Sequence, residues 1–269
     1  MDSGRAQHVS GNDSPAAITD VLFDFAGVLV DWRPWLAFGY DSQEALDEAV
    51  GEGKPGAAAV QRFFDRDDPE GFWTLDDLRD AGMPNAEVCA RYDMEHSDMP
   101  QMGTAAAHSD VSQMGIAAAH SGLPKMVAAA AHGSLPLRGM YRRYLDAFAA
   151  TVPAMMPGMA TLLVDLAQQG IGVWGLTNWS DEDVAVPLGL PGMEPLRGVI
   201  VSGREKLVKP DEAIYRLAVA RFGLNASTTA FFDDKPVNVA GARAVGIRAH
   251  VFAGAQDARD FLCAGGIGV

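Results

Sequence analysis

The chain has 269 residues, of which 48% are hydrophobic and 21% charged, with a formal net charge of −14. This length allows one large domain or two smaller ones, and the acidic balance argues against a nucleic-acid-binding face or a polybasic membrane patch. No apolar run approaches the about 18 residues of a transmembrane helix. The two cysteines, Cys89 and Cys263, form no CxxC pair, which suits a reduced cytoplasmic protein. We expect a cytoplasmic monomer or homodimer that binds neither nucleic acid nor membrane.

The N-terminal stretch 1–17 is polar and has no apolar segment typical of a signal peptide. We expect it to be a disordered extension.

An apolar run over 18–23, broken only by Thr19 and Asp20, leads directly into Asp24. Such a run predicts a short buried strand, and Gly27 predicts a tight turn after it. The sequence thus places a carboxylate at the C-terminal end of a buried strand, where open α/β sheets bind ligands. A turn-capping aspartate would explain this stretch equally well when it is taken alone.

The region 34–153 reads as a helical insertion after this first strand. Nothing in it alternates in the way that is typical of a strand. The predicted helices cover 42–50, 57–64, 75–80, 87–92 and 137–150.

A tandem repeat lies within this insertion, with histidines at His96, His108, His120 and His132, twelve residues apart. Evenly spaced histidines with nearby methionines suggest metal binding. However, twelve residues on one helix span about 18 Å, too far for a single chelate site. Pro and Gly in the units also interrupt any long helix. We favour a duplication that forms Ala-rich helical turns and loops.

The segment after 157–158 alternates between short apolar runs and helical patterns. This alternation predicts βαβ units with right-handed crossovers and a parallel sheet that includes the first strand. The predicted strands cover 171–176, 198–201, 229–232 and 247–252, and the predicted helices cover 159–168, 181–188, 210–222, 236–245 and 255–263.

Polar residues follow several of these strands or open the next helix. Thr177-Asn178 follows the strand 171–176, Lys209-Pro210 opens a predicted helix, and Asp233-Asp234 follows the strand 229–232, with Asn238 shortly after. Because parallel strands end at the same edge of a sheet, we expect these residues to converge on Asp24.

Three carboxylates would then share one crevice: Asp24, Asp233 and Asp234. Two like charges about 4 Å apart repel by about 4 kcal/mol at an effective dielectric constant of about 20. Lys209 offsets one charge, and Mg²⁺ is the cation that best suits such an oxygen-rich set. This arrangement suits a phosphoryl group, which a carboxylate attacks to form an aspartyl-phosphate. Each of these residue pairs alone is typical of an ordinary turn or helix cap, so the phosphoryl-transfer hypothesis rests on their occurring together in this order.

Four segments resemble the motifs of the haloacid dehalogenase-like hydrolase superfamily, in its branch with a helical cap inserted after the first strand: FDFAGVLVDW, GLTNWS, VSGREKLVKPDEAIYR and FFDDKPVNVAGARAVGI. The resemblance is close over 18–35 and 154–253 and loose elsewhere. It implies an α/β fold, namely a Rossmann-like parallel sheet core with helices on both faces, plus an α-helical cap domain. The core would comprise 18–33 and 154–269, and the cap 34–153.

The resemblance also implies roles for individual residues. Asp24 would be the nucleophile, and Thr177 and Lys209 would hold the phosphoryl oxygens. Mg²⁺ would bind to Asp24, to the backbone carbonyl of Ala26 and to Asp234.

Four further residues would support this site. Asn178 and Gly27 would contact the substrate, and Asp233 and Asn238 would stand behind the metal ligands. The implied function is Mg²⁺-dependent hydrolysis of small phosphorylated metabolites through an aspartyl-phosphate.

Ala26 departs from the family pattern, because phosphatases of this superfamily usually carry an aspartate there as general acid. General acid catalysis contributes about 10²–10⁴ in rate. We therefore expect a preference for leaving groups that need little protonation.

Three alternatives remain open. A 2-haloacid dehalogenase resembles this fold but needs no metal and lacks the paired acids Asp233-Asp234. A phosphonate hydrolase also has a small residue at the position of Ala26, but it uses a cap lysine, for which Lys54 and Lys125 are the candidates. A catalytically weak module that binds a phosphorylated ligand is the third.

Overall fold

The computed structural model describes residues 16–97 and 137–269. The predicted N-terminal extension, except for 16 and 17, lies outside the described residues. The same holds for the twelve-residue repeat beyond Ser97. The predictions for both segments therefore stay predictions.

The described residues form two compact units. We call the first the core unit, which comprises 16–32, 80–82 and 152–269. We call the second the helical unit, which comprises 33–79, 83–97 and 137–151. The short segment 80–82, which we expected within the cap, groups with the core unit.

The core unit contains the described strands β1 (Asp20–Phe23), β2 (Val30–Asp31), β3 (Ala154–Met155), β4 (Gly172–Thr177), β5 (Val199–Val201), β6 (Thr229–Asp233) and β7 (Arg248–Val251). Five of these strands form a parallel sheet in the order β5-β4-β1-β6-β7. The short strands β2 and β3 pair antiparallel in a separate two-stranded sheet. The predicted parallel sheet is confirmed. The β2–β3 pair was missed, because two residues carry no readable alternation.

The helical unit is organised around aromatic side chains. Phe63 is fully buried, and its ring lies 5.2 Å from that of Phe72, 5.4 Å from that of Tyr92 and 5.9 Å from that of Tyr141. Tilted and edge-to-face pairs of this kind add to the hydrophobic gain of burial. The α-helices are α1 (Gln43–Gly51), α2 (Ala57–Phe63), α3 (Phe72–Asp80), α4 (Asn85–Glu95) and α5 (Met140–Asp146), and short 3₁₀ helices cover Pro34–Phe38 and Phe148–Thr151.

Helices cover both faces of the core sheet, as predicted. Phe231 packs against Tyr215 on one face, and its neighbour Phe232 packs against Phe261 on the other, because successive residues of a strand point to opposite sides. The core helices are α6 (Met159–Gln168), α7 (Ala185–Leu188), α8 (Ser202–Glu205), α9 (Glu212–Phe222), α10 (Pro236–Ala244) and α11 (Ala255–Ala264). None of the helices in the described parts of the chain is both long and apolar enough to cross a bilayer.

Five predicted helix starts were wrong by two to four residues, namely those of α3, α4, α5, α7 and α9. The segment 181–184 forms turns, so α7 begins only at Ala185. Lys209-Pro210 precedes α9 and does not open it, because Asp211 caps the helix by accepting the N–H of Ala213 at 2.9 Å. Lys209 therefore lies on a connecting loop.

We predict that Phe63→Ala destabilises the protein strongly, since it leaves a cavity among the aromatic rings of the helical unit. The free energy of unfolding should fall by about 3–5 kcal/mol in urea denaturation followed by tryptophan fluorescence. Met94→Ala is the matched control in the same unit, because Met94 is 67% exposed, and it should change stability by less than about 0.5 kcal/mol. Equal losses in the two variants would contradict an aromatic core centred on Phe63.

Candidate active site

Three strand ends meet at one edge of the core sheet. Asp24 directly follows β1, Thr177 closes β4, and Asp233 closes β6 with Asp234 next in the chain. Because β4, β1 and β6 are parallel neighbours, their carboxyl ends lie side by side. The structure thus brings these side chains to the same edge of the sheet.

The turn after Asp24 is tightly closed. The carbonyl of Phe25 accepts the N–H groups of Val28, Leu29 and Val30 at 3.1, 2.9 and 2.8 Å. Gly27 has a φ of +76°, and a Cβ atom there would lie 3.0 Å from Oδ2 of Asp234. Glycine is therefore required both for this backbone conformation and for the close approach of Asp234.

The N–H of Gly27 already donates to the carbonyl of Val30 at 2.9 Å. The N–H of Gly27 is therefore used within the turn itself. The predicted contact with substrate stays a prediction.

The Lys209 ammonium lies at the centre of the site. Its Nζ is 2.7 Å from Oδ1 of Asp24 and 2.7 Å from Oδ2 of Asp233, and all three side chains are buried. Burial lowers the pKa of Lys209, but the negative charges of Asp24 and Asp233 outweigh burial and raise the pKa above its usual value. Lys209 is therefore held in its charged form.

The backbone of Lys209 is held by Asn178. Oδ1 of Asn178 accepts the Lys209 N–H at 2.8 Å, and Nδ2 donates to the Lys209 carbonyl at 3.1 Å. Next to it, the buried Thr177 donates from Oγ1 to the Asn178 carbonyl at 3.3 Å. The geometry thus makes Asn178 a residue that positions the lysine, and its predicted contact with substrate stays a prediction.

Asp233 is fully engaged by donors within the protein. Lys209 donates to Oδ2, the N–H of Lys235 donates to Oδ1 at 2.8 Å, and Nδ2 of Asn238 lies 3.0 and 3.1 Å from the two oxygens. Asn238 is fixed in turn, since its carbonyl accepts the hydroxyl of Tyr215 at 2.8 Å. Because it accepts all these hydrogen bonds, the Asp233 carboxylate fixes the positions of Lys209, Lys235 and Asn238.

Asp24 has the opposite character. Both of its contacts use Oδ1, which is 2.7 Å from Nζ of Lys209 and accepts the N–H of Phe25 at 2.7 Å. Within the described part of the chain, no hydrogen bond reaches Oδ2. Burial raises the pKa of Asp24 to about 6, although the Lys209 charge opposes the shift. Oδ2 therefore remains available to a metal ion or an electrophile.

The carboxylates of Asp24, Asp233 and Asp234 can each direct one oxygen to a common position, with these oxygens within 4.8 Å of one another. Burial raises the pKa of Asp234, and the charge of Asp233 adds to the shift, so the cluster gains from a cation. Hard carboxylate oxygens are the ligands that Mg²⁺ prefers. The donor set therefore fits Mg²⁺ at Asp24 and Asp234. The Ala26 carbonyl remains a predicted ligand.

Ser202 is a site-supporting residue that sequence reasoning missed. Its buried Oγ accepts the N–H of Trp179 at 2.9 Å and donates to the carbonyl of Asp80 at 2.5 Å. It thereby fixes the loop that follows Thr177-Asn178 against the segment 80–82 of the core unit. In the sequence, the Ser202-Gly203 pair directly after β5 was the available signal for this role. The residue that Ser202 contacts, Asp80, is 122 residues away in the chain, so the sequence did not reveal the bond.

The comparisons with known proteins agree with this fold. A model of the haloacid dehalogenase-like hydrolases matches residues 21–246. The solved structure of a predicted haloacid dehalogenase-like family hydrolase from Porphyromonas gingivalis shares 17% identity at a TM-score of 0.56, with 92% of this chain and 97% of that chain covered.

Two further solved structures are similar at low identity. A haloacid dehalogenase family enzyme from Bacteroides thetaiotaomicron, in complex with magnesium and inorganic phosphate, has a TM-score of 0.53 and 16% identity over 88% of this chain and 95% of that chain. A dehalogenase has a TM-score of 0.50 and 17% identity over 86% and 83% of the two chains. No curated protein matches the chain by sequence.

The structural likenesses show a shared fold, and the family model extends from β1 to the end of α10 and includes all three acidic residues of the site. This chain belongs to the haloacid dehalogenase-like hydrolase family.

Proposed function

We propose that this protein is a Mg²⁺-dependent hydrolase of small phosphorylated metabolites that acts through an aspartyl-phosphate on Asp24. One observation carries the proposal: Asp24 is held through Oδ1 by Lys209 and Phe25, while no described hydrogen bond reaches Oδ2. A carboxylate fixed in this way can attack an electrophile without first reorganising. The adjacent carboxylate of Asp234 supplies the second ligand for the cation.

In the proposed reaction, Oδ2 of Asp24 attacks phosphorus, and the bond from phosphorus to the leaving oxygen breaks. Water then hydrolyses the aspartyl-phosphate, which releases inorganic phosphate and restores Asp24. Lys209 has three N–H donors, of which two face Asp24 and Asp233, so a third can bind a phosphoryl oxygen. Thr177 would bind another. Mg²⁺ bound at Asp24, Asp234 and the Ala26 carbonyl would supply positive charge against the phosphoryl oxygens.

The alternatives receive less support. The paired acids Asp233-Asp234 favour a metal site, which dehalogenation at carbon does not need. For phosphonate cleavage, a cap lysine must lose its proton. Lys54 is bonded to Glu52 at 2.8 Å, and this hydrogen bond raises its pKa, so it is a poor candidate. Lys125 lies outside the described residues.

The central test is the nucleophile. We predict that Asp24→Asn lowers kcat for an aryl phosphate at least about 10³-fold, because the amide cannot form the covalent intermediate. Acid quenching with radiolabelled phosphate donor should leave label on the wild-type chain and none on the variant. Asp260→Asn, at an exposed position on α11, should keep wild-type activity and labelling. Undiminished turnover in Asp24→Asn would overturn the proposed mechanism.

We also predict that Mg²⁺ stabilises the protein more at about pH 7.5 than at about pH 5. The pKa of Asp24 is raised from 3.8 to about 6 in the metal-free fold. The stability that its proton contributes is therefore fully present below about pH 3.8 and is lost as the pH rises through about 6. Mg²⁺ binds the deprotonated carboxylate, so it replaces the lost proton only above that pKa. The Tm measured with and without MgCl₂ reports this difference.

Asp234→Asn serves as the variant for the Mg²⁺ measurement. It should reduce the Mg²⁺-dependent rise in Tm at both pH values, because it removes a proposed ligand. An equal rise in Tm at the two pH values would contradict metal binding at Asp24.

Ala26 generates a third prediction, because its methyl group cannot donate a proton to a leaving alkoxide. Ala26→Asp should raise kcat for alkyl phosphates by up to about 10²-fold, with little gain on aryl phosphates. The measurement is kcat/KM for a matched alkyl and aryl pair in both proteins. Similar wild-type rates on the two substrates would show that another group supplies the proton.

A further inference from the structure

A cleft of about 700 Å³ is lined by residues of the helical unit, and none of them belongs to the Asp24 site. Its volume falls in the range of ligand pockets, about 300–1,000 Å³. Its lining includes the rings of Trp35 and Phe64, the side chains of Gln43, Gln61, Arg62 and Arg66, and the carboxylate of Asp65. They all belong to the helical unit, so the cleft is a feature of that unit alone.

The aromatic wall of the cleft is held in place by its neighbours. Phe64 is buried, and the Trp35 ring lies 5.9 Å from it. The indole Nε1 of Trp35 donates to Oε1 of Gln43 at 2.6 Å. Gln43 and Gln61 both donate to the same oxygen of Asp47, at 2.9 and 3.0 Å. A wall fixed in this way loses little conformational entropy when a ligand binds.

Two arginines give the cleft a positive edge. The guanidinium of Arg66 lies over the Trp73 ring at 3.9 Å, and Trp73 is fixed by donating from Nε1 to the Phe64 carbonyl at 2.9 Å. Stacking holds the guanidinium plane and leaves its N–H groups at the edge for an acceptor. The nearby Asp65 carboxylate accepts the N–H of Asp67 at 3.0 Å.

Arg62 and Arg66 are exposed arginines, as are Arg142 and Arg143, and no ion pair joins any of the four to a carboxylate of the described residues. Arg91, Arg216 and Arg221 are each paired with a glutamate, at 2.7, 2.6 and 2.5 Å. Burial raises the pKa of Asp68, but hydrogen bonds and the charges of His96 and Arg62 lower it below its usual value, so Arg62 already faces one carboxylate. Both guanidinium groups still have N–H donors beside the aromatic cleft that an anion from outside the protein can use.

We propose that this cleft binds an organic anion with a flat aromatic ring. The ring would lie against Trp35 and Phe64, and the anionic group would accept hydrogen bonds from Arg62 and Arg66. An aromatic ring gains from burial and from offset stacking on Trp35. A carboxylate, sulfonate or phosphate matches the planar fork of a guanidinium. The proposal uses no residue of the Asp24 site and does not depend on the proposed function.

The test is a calorimetric titration of the full chain with naphthalenesulfonate, which the proposed hydrolase chemistry cannot cleave, in buffer without Mg²⁺. We expect saturable binding to one site, and we expect the uncharged naphthalenesulfonamide to bind about tenfold more weakly. Arg62→Gln and Arg66→Gln should each raise the Kd for naphthalenesulfonate by about tenfold. Circular dichroism of each variant verifies that it is folded.

Two control variants separate this site from general charge effects and from the Asp24 site, and a third variant tests the aromatic wall. Arg216→Gln makes the same charge change on α9 of the core unit and should leave the Kd unchanged. Asp24→Asn should also bind naphthalenesulfonate with wild-type affinity, whatever it does to hydrolysis. Trp35→Leu removes the aromatic wall and should weaken both probes. If Arg66→Gln fails to fold, Arg66→Lys takes its place. This variant keeps the positive charge but lacks the planar guanidinium, so it should still raise the Kd for naphthalenesulfonate.

The proposal is overturned by any of three results: no saturable binding, equal affinity for the charged and uncharged probes, or the same loss in Arg216→Gln as in Arg62→Gln.

Discussion

The placement of the Lys209 ammonium between Asp24 and Asp233 is the interaction on which the site depends. Each of these buried charges would cost several kcal/mol if left alone, so the three must be fixed together. The two carboxylates come from the ends of β1 and β6. The lysine comes from the loop before α9, where Asn178 at the end of β4 holds its backbone. The order β4-β1-β6 of the sheet is therefore a requirement of the charge cluster as well as of the fold.

Within this cluster, the carboxylates of Asp233 and Asp24 differ in their hydrogen bonding. Asp233 is engaged through both oxygens by Lys209, Lys235 and Asn238, whereas the contacts of Asp24 are confined to Oδ1. The two acids thus differ in which of their oxygens accept hydrogen bonds from the described residues. Burial and mutual repulsion make the cluster unfavourable without a cation, and this electrostatic cost is the physical basis for the proposed metal.

The helical unit shows a different balance of forces. Its interior combines a set of aromatic rings around Phe63 with a buried ion pair between Arg79 and Asp76, to which the Tyr141 hydroxyl also donates. At the cleft, Phe64 and Trp35 present the same kind of surface beside Arg62 and Arg66. The unit is therefore stabilised by aromatic packing together with a buried ion pair, and the proposed anion site uses the exposed arginines at its edge.

The sequence alone determined the parallel α/β fold and the convergence of Asp24, Thr177, Lys209 and Asp233-Asp234 at one edge. These features could be predicted because strand periodicity is local and parallel strands end on the same side of a sheet. Only the tertiary structure decided that Asn178 clamps Lys209, that Ser202 bonds to Asp80, that 80–82 group with the core unit and that Arg62 and Arg66 border an aromatic cleft. The contact of Asn178 with Lys209, the Ser202 bond and the grouping of 80–82 with the core unit each join segments that lie far apart in the chain. The cleft depends on how α1, α2 and the segments beside them pack. No local sequence pattern could therefore reveal any of these features.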